Sequence, residues 1–318
     1  MNHIETRWPI IFSIDKAMQS LKNYIQQPSQ IMLGLIRRFY FLFPDKMYLK
    51  LLYRLKLDRR LDLKHPKRFT EKLQWLKLYD RKPLYTKLVD KAEVKKYVAD
   101  IIGEEYVIPT YGVWNSPEDI DWDSLPNRFV LKTTHGGGST GVVICRNKSQ
   151  LDRKKAIDTL KRSMNINIYA TLREWPYKDV PHRIIAEQLL EKDSQYDDVP
   201  DYKFYCFNGI PKVLLIASNR FTDHNFNYYD MEFKKLNITS NMGKKTSTEF
   251  SKPTRFEEMK RIAAKLSYGF SHMRVDLYYT NEKVYFGELT FYDASGYDNN
   301  SSDEIDMEWG SWIKLPNK

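Results

Sequence analysis

Between His272 and Thr290 the chain reads HMRVDLYYTNEKVYFGELT. Polar and apolar residues alternate on both sides of the turn-prone stretch Thr280, Asn281, Glu282. A period of two is the pattern of strands with one buried face. The segment therefore predicts a hairpin with strands at 273–279 and 284–290. In the first strand Arg274, Asp276 and Tyr278 share one face, and Val275 and Leu277 the other. In the second, Val284, Phe286, Glu288 and Thr290 share a face. A hairpin centred on Glu282 sets Asp276 opposite Glu288 and Arg274 opposite Thr290, with directly opposed Cβ atoms about 4.5–5.5 Å apart. Two carboxylates that close repel, so the pair calls for a proton, an arginine or a metal between them. Oxygen ligands of this kind suit Mg²⁺ held by one or two carboxylates together with substrate phosphates. Arg274 has the fork that grips a phosphate through two hydrogen bonds.

The rest of the chain mixes both periodicities. Tyr48, Leu51, Leu52 and Leu55 follow helical spacing, with Asp45 placed as the N-cap. One helix is predicted from Leu84 to about Ile102, stopping near Gly103, and another over 152–165. Thr254 and Glu257 have the spacing of a capping box for a helix with Phe256, Met259, Ala263 and Leu266 on its inner face, stopped by Gly269. Strand-like runs cover Phe129–Lys132, Gly141–Cys145, Arg183–Leu190, Tyr202–Phe207 and Lys212–Ala217. The tail, 293–318, reads as partly loose. Such interleaving of strands and helices makes the fold class α+β or α/β.

A second constellation lies in FVLKTTHGGGSTGVVIC. A strand ends at Lys132, and His135, Gly136, Gly137, Gly138, Ser139, Thr140 and Gly141 lead into the next one. Consecutive glycines let backbone N–H groups come close to an anion. No Gly-Lys-Ser/Thr follows and no helix opens there, which excludes a Walker A loop. The run Glu187, Gln188, Leu189, Leu190 ends a buried strand and can offer backbone groups to a purine edge. Asp201 and Lys203 face one way on their strand, within reach of the same phosphates. His182 and His272 read as structural, and Trp75, Trp114 and Trp175 as packing anchors.

Charge is distributed unevenly. Residues 1–92 hold 20 Lys and Arg against 8 Asp and Glu, whereas 93–318 hold 31 against 33. The run Ile31–Phe43 is apolar but short, with Arg37 and Arg38 at its centre. A spanning helix needs about 20 apolar residues, so this run does not span; it suits a membrane surface. Cys145 and Cys206 sit in apolar runs and read as buried free thiols, which favours a reducing compartment. With no export signal, a cytoplasmic location is expected, with peripheral contact at the inner face of the membrane.

The ordered set Asp90-Lys91, Phe129–Lys132 with its glycine loop, Ala186–Leu190, Arg274-Val275-Asp276 and Glu288-Leu289-Thr290 resembles the ATP-grasp enzymes. The stretches LQWLKLYDRKPLYTKLVDK, YVIPTYGVW, REWPYK, DYKFYCFNG and GELTFYDASGY resemble one branch of them, the teichuronopeptide-biosynthesis (TupA-like) family of bacterial surface-polysaccharide gene sets. The resemblance covers roughly residues 65–298. It implies an α+β ATP-grasp fold, two subdomains clasping ATP, behind a helical basic N-terminal region. The expected division is 1–85 for that region, 86–190 for a lid subdomain and 191–318 for the catalytic, metal-binding subdomain.

By the same resemblance Lys91 and Lys132 contact the nucleotide, His135 to Gly141 form a flap over the phosphates, and Glu187, Gln188, Leu189 and Leu190 form the adenine hinge. Glu191 and Asp193 are both candidates for the ribose. Asp276, Glu288 and Thr290 ligate Mg²⁺, and Arg274, Lys132 and Lys203 act on the transferred phosphoryl group. Many ATP-grasp ligases carry Glu-x-Asn where this chain has Glu288-x-Thr290, and a hydroxyl is a weaker metal ligand than an amide carbonyl. The implied reaction joins an amine, such as an amino acid, to the carboxylate of an acidic sugar or polysaccharide. A sugar or small-molecule kinase on the same fold is the alternative, followed by a glycosyltransferase-associated protein, for which no strand-end DxD motif is found. Nucleic acid is not expected as a partner, because the basic excess comes without any nucleic-acid-binding signature.

Overall fold

The computed structural model describes residues 28–138, 141–192, 198–218, 225–238, 244–245, 249–298 and 302–317. The chain divides into two compact units, one ending at Arg60 and one beginning at Leu61. In the first, helix α1 (Pro28–Arg38) leads through a single 3-10 turn, Tyr40–Leu42, to α2 (Asp45–Leu57). Pro44 is the N-cap of α2 and Asp45 its first helical residue, one position from the sequence expectation. The buried stripe is Tyr48, Leu49, Leu52 and Tyr53; Leu51 and Leu55 are half-buried.

The second unit starts with α3 (Phe69–Tyr79), α4 (Pro83–Val89) and α5 (Val94–Ile102). The single helix expected over 84–102 is thus two. Asp90, 1% exposed, breaks it by accepting the backbone N–H groups of Ala92 (2.8 Å) and Glu93 (3.3 Å). Strands β1 (Thr110–Trp114), β2 (Phe129–Thr133) and β3 (Val143–Cys145) follow, then α6 (Arg153–Met164), α7 (Ile168–Leu172) and β4 (Ile184–Gln188). These strands make an antiparallel sheet in the order β1-β4-β2-β3. Alternation along β2 sends Phe129 and Leu131 into a core with Ile120, Leu160, Ile184 and Ala186, beneath α6. It leaves Val130 and Lys132 on the opposite face.

A larger sheet is built from β5 (Asp201–Phe207), β6 (Ile210–Ser218), β7 (Asn225–Tyr229), β8 (Lys235–Leu236), β9 (Lys244–Lys245) and, beyond α8 (Phe256–Ser267), β10 (His272–Thr280) and β11 (Lys283–Thr290). Its order is β11-β10-β5-β6-β7-β8, with β9 paired to β7. Helix α8 covers one face, burying Phe256, Met259, Ala263 and Leu266 as its period requires. The capping box does not form. Thr254 Oγ1 instead bonds the Tyr279 hydroxyl at 2.6 Å, and Glu257 pairs with Lys260 and Lys252.

The β10–β11 hairpin turns through Asn281 and Glu282, both left-handed (φ 49° and 57°), with Thr280 opposite Lys283. That turn alone would set Asp276 opposite Gly287. A bulge between the pairs Leu277–Phe286 and Asp276–Glu288 absorbs Gly287 and restores Asp276 to Glu288 and Arg274 to Thr290. The expected pairing holds, for a reason the alternation did not contain. The bulge also reverses the face of β11, so buried Val284 and Phe286 do not share a face with Glu288 and Thr290; Leu289 is the buried residue there.

The C-terminal segment is packed rather than loose over its described residues. Helix α9 (Asp303–Trp312) lies on α3, where Asp306 accepts from Thr70 N and Oγ1, both at 2.9 Å, and Asp303 pairs with Arg68. Trp309, 1% exposed, meets Phe69, Tyr205 and Phe207 edge-on or tilted at 5.0–6.0 Å.

Candidate active site

A cavity of about 530 Å³ opens between the two sheets. The smaller sheet lends Val130, Lys132, Ile144, Glu187 and Gln188 to its wall; the larger lends Lys203, Leu215, Arg274, Asp276 and Glu288. Register explains the second set. Lys203 on β5 stands opposite Asp276 on β10 and Leu215 on β6, and Asp276 in turn stands opposite Glu288. One row across three strands therefore delivers a lysine and two carboxylates to one face.

Arg274 answers the question left by the paired carboxylates. Its Nε donates to Asp276 Oδ1 at 2.7 Å, and its Nη2 donates to Asp276 Oδ2 at 2.8 Å and Glu288 Oε1 at 3.0 Å. Nη1 donates to Asp293, whose other oxygen accepts from the Tyr205 hydroxyl at 3.0 Å. Lys203 donates to Asp276 and lies 3.5 Å from Asp201. Burial disfavours the Arg274 charge, but Asp276 and Asp293 outweigh it and raise its pKa well above the ordinary value. Burial likewise pushes the Glu288 carboxyl up, and Lys91, Arg274 and Lys203 overcome this and hold it at about 2. Thr290 Oγ1 donates to Glu288 at 3.1 Å, steadying that carboxylate.

Lys91 is set by the break that Asp90 makes. Arg183 grips Asp90 at 2.8 Å and Glu93 at 2.9 Å, and the Lys91 amide donates to Thr134 O at 3.0 Å. The Lys91 ammonium donates to Gly136 O at the start of the glycine loop and lies 4.0 Å from Glu288 Oε2. Burial lowers its pKa, opposed chiefly by Glu288. Glu187 is 5% exposed and sits between Lys132 and Lys95, the latter at 2.7 Å. Burial raises its pKa, and the two ammonium groups reverse this to a net lowering.

The structure thus gathers Lys91, Lys132, Gly138, Glu187, Gln188, Leu189, Leu190, Lys203, Arg274, Asp276 and Glu288 on one cavity. His135 stands apart from its lining. It is 2% exposed and stacks on His182 with ring centroids 3.7 Å apart and planes at 5°. Ser139, Thr140 and Asp193 lie outside the described residues. Glu191 pairs with Arg128 in an exposed contact.

Sequence reasoning passed over Lys95, Asp293 and Tyr205. It also passed over the support beneath Asp293, a turn with Ala294, Ser295 and Gly296 all left-handed at φ 44°, 57° and 68°. Buried Lys77 on α3 donates to Ser295 O (2.8 Å) and Oγ (2.7 Å), and Gln74 donates to Ser295 O and Gly296 O, both at 3.0 Å. The only available signal was a lysine and a glutamine on the inner side of a helix, where unpaired polar groups are costly.

Glu288 Oε2 accepts no hydrogen bond among the described residues, and with Asp276 it lines the cavity. An all-oxygen pair is the donor set that Mg²⁺ takes, but both Asp276 oxygens already accept from Arg274 and one also from Lys203, so an ion here would displace part of that contact. No group of three or more His, Cys, Asp or Glu among the described residues is arranged to hold a metal, so an ion here would complete its shell with phosphate and water oxygens.

Residues 71–314, roughly three quarters of the chain, match the family model described as TupA-like ATPgrasp. Similar solved structures include the D-alanine–D-alanine ligase of Helicobacter pylori, at 14% identity and TM-score 0.43, covering 77% of this chain and 69% of that one. The D-alanine–D-alanine ligase of Coxiella burnetii is 14% identical with TM-score 0.40, over 76% and 59%. Biotin carboxylase of Campylobacter jejuni, in its β,γ-ATP complex, is 15% identical with TM-score 0.39, over 72% and 47%. This chain therefore spans between about half and two thirds of the length of those proteins. No curated protein matches it. By the extent of the family match, the chain belongs to the TupA-like ATP-grasp family.

Proposed function

We propose that this chain is an ATP-dependent carboxylate–amine ligase, with a hexuronic acid of a bacterial surface polysaccharide as its acid and an amino acid as its amine. The observation that carries the reading is the row Lys203–Asp276–Glu288 threaded by Arg274, facing Lys91 and Lys132 across one cavity. Cations arranged around a carboxylate pair suit a triphosphate, whose transfer needs positioning and charge neutralisation more than covalent help from the protein.

In this reading Val130, Ile144 and Leu215 enclose the base, and Gln188, Leu189 and Leu190 meet its edge. Lys91 and Lys132 hold the inner phosphates beneath the glycine loop. Asp276 and Glu288 would hold Mg²⁺, which adds positive charge beside the phosphate oxygens. Arg274 and Lys203 orient the γ-phosphoryl group. An oxygen of the acid attacks the γ-phosphorus, the bond to the β-bridging oxygen breaks, and ADP leaves. The amine nitrogen then attacks the acyl carbon, the bond to the phosphate oxygen breaks, and the nitrogen loses its proton. The excess of 20 basic over 8 acidic residues in 1–92 favours an acidic acceptor.

The test is a mass-spectrometric screen of uronates against amino acids with Mg-ATP. ADP and a product of acid plus amine less water should appear only when both substrates are present. ADP made with a hydroxyl acceptor and no amine overturns ligation in favour of a kinase.

A further inference from the structure

Seven of the thirteen large apolar side chains that the described residues expose lie within residues 31–47, so the bare apolar surface is concentrated in the first unit. Ile31, Met32, Leu35 and Phe39 follow one face of α1 and the residue after it, at 39–55% exposure, while Leu33 and Ile36 on the other face are 7% and 6% exposed. Beyond the helix, the 3-10 turn Tyr40–Leu42 lifts Phe41 (68% exposed) and Leu42 (64%) into solvent. Arg37 and Arg38, both exposed, are the last two residues of the helix before this tip. Residues 28–60 hold eight Lys and Arg against two Asp and Glu.

A bare apolar face on a soluble unit marks an interaction surface. The charge selects the partner. Two copies of a surface with this excess repel, which disfavours self-association. A soluble polyanion answers the arginines but offers no apolar phase to Phe41 and Leu42. An anionic bilayer answers both, since amphipathic basic helices lie in the interface plane with their apolar side chains in the headgroup–acyl boundary. Over its eleven described residues α1 is too short to cross it.

We propose that this face of the first unit docks on an anionic lipid bilayer, with Phe41 and Leu42 entering the interface and Arg37 and Arg38 meeting lipid phosphates. The proposal does not depend on the ligase reading.

The test is sedimentation of the full chain with sucrose-loaded vesicles of phosphatidylcholine alone or with 30% phosphatidylglycerol, an order-of-magnitude model of an anionic leaflet at about physiological salt. Binding to the anionic vesicles alone is expected. The R37A/R38A variant should lower the partition coefficient roughly 30-fold, about fivefold per charge. F41S/L42S should lower it at least roughly tenfold while leaving the thermal unfolding midpoint unchanged, because both side chains are exposed. Failure of the wild type to sediment with anionic vesicles overturns the proposal, as does equal sedimentation with neutral ones. It is also overturned by heparin binding as tight as vesicle binding and indifferent to F41S/L42S, or by a dimer in solution that F41S/L42S dissociates.

Discussion

At the scale of single residues, Arg274 decides how the site can carry so many charges. It is 8% exposed and contacts Asp276, Glu288 and Asp293, each of which would repel the others without it. Replacing it by Met leaves buried carboxylates without their counter-ion, a change that costs about 3–5 kcal/mol. Urea unfolding should show that loss, and ADP formation should vanish. Asp293 holds Arg274 from outside the cavity lining, as a positioning residue. Asp293→Asn should lower kcat roughly 10- to 100-fold with KM for ATP changed less than about threefold, because the guanidinium stays but its aim is loosened. A purely structural role predicts lower stability with kcat per folded molecule unchanged. Sequence made Arg274, Asp276 and Glu288 visible because alternation and spacing are local. Asp293 was invisible because its role depends on a left-handed turn held by Lys77 and Gln74 from a helix more than two hundred residues away.

At the scale of elements, the hairpin shows how a local pattern can give the right pairing through an incomplete cause. The turn at Asn281–Glu282 fixes one register and the bulge at Gly287 changes it before the site is reached. A Cβ on Gly287 would lie 3.0 Å from Asp276 O and 3.1 Å from the Tyr278 ring, tighter than ordinary contacts. Gly287→Ala should cost about 1–3 kcal/mol, within the range for overpacking. It should lower ADP formation by a larger factor than that loss implies, since Glu288 is the next residue. Thermal unfolding and initial rates on the same preparation separate the two effects. The predicted helix over 84–102 shows the opposite limit. Its apolar spacing runs through Asp90, but the buried Asp90–Arg183 pair stops α4 and turns the chain so that Lys91 reaches Gly136. Helical period records which residues face inward, not where a long-range ion pair interrupts the ladder.

At the scale of the whole molecule, the mixture of helices and strands was legible because many strands are short, apolar runs bounded by turns, whereas the grouping of those strands into a four-stranded and a seven-stranded sheet was not. The packing of α9 on α3 was not, because it rests on Asp303, Asp306 and Trp309 in an otherwise acidic tail. Two buried histidines make the fold sensitive to acid. Burial lowers His135 to about 4, aided by His182 and Lys91, and lowers His272 to about 3, aided by Arg274. Both folded pKa values lie below the unfolded value near 6.5, so the unfolded state binds more protons and stability falls as pH drops below that value. With both histidines contributing, urea unfolding should lose up to about 2.7 kcal/mol per pH unit between roughly pH 6 and 4. His272→Asn should reduce that slope by about half.

The central claim, transfer of the γ-phosphoryl group to a carboxylate followed by capture with an amine, is tested most directly by isotope transfer. An acid substrate labelled with ¹⁸O in its carboxylate is incubated with the protein, Mg-ATP and amine, and the released phosphate is weighed by mass spectrometry. One ¹⁸O per phosphate, in step with ADP and amide, is the predicted result. Unlabelled phosphate would contradict it, as would ¹⁸O appearing in AMP.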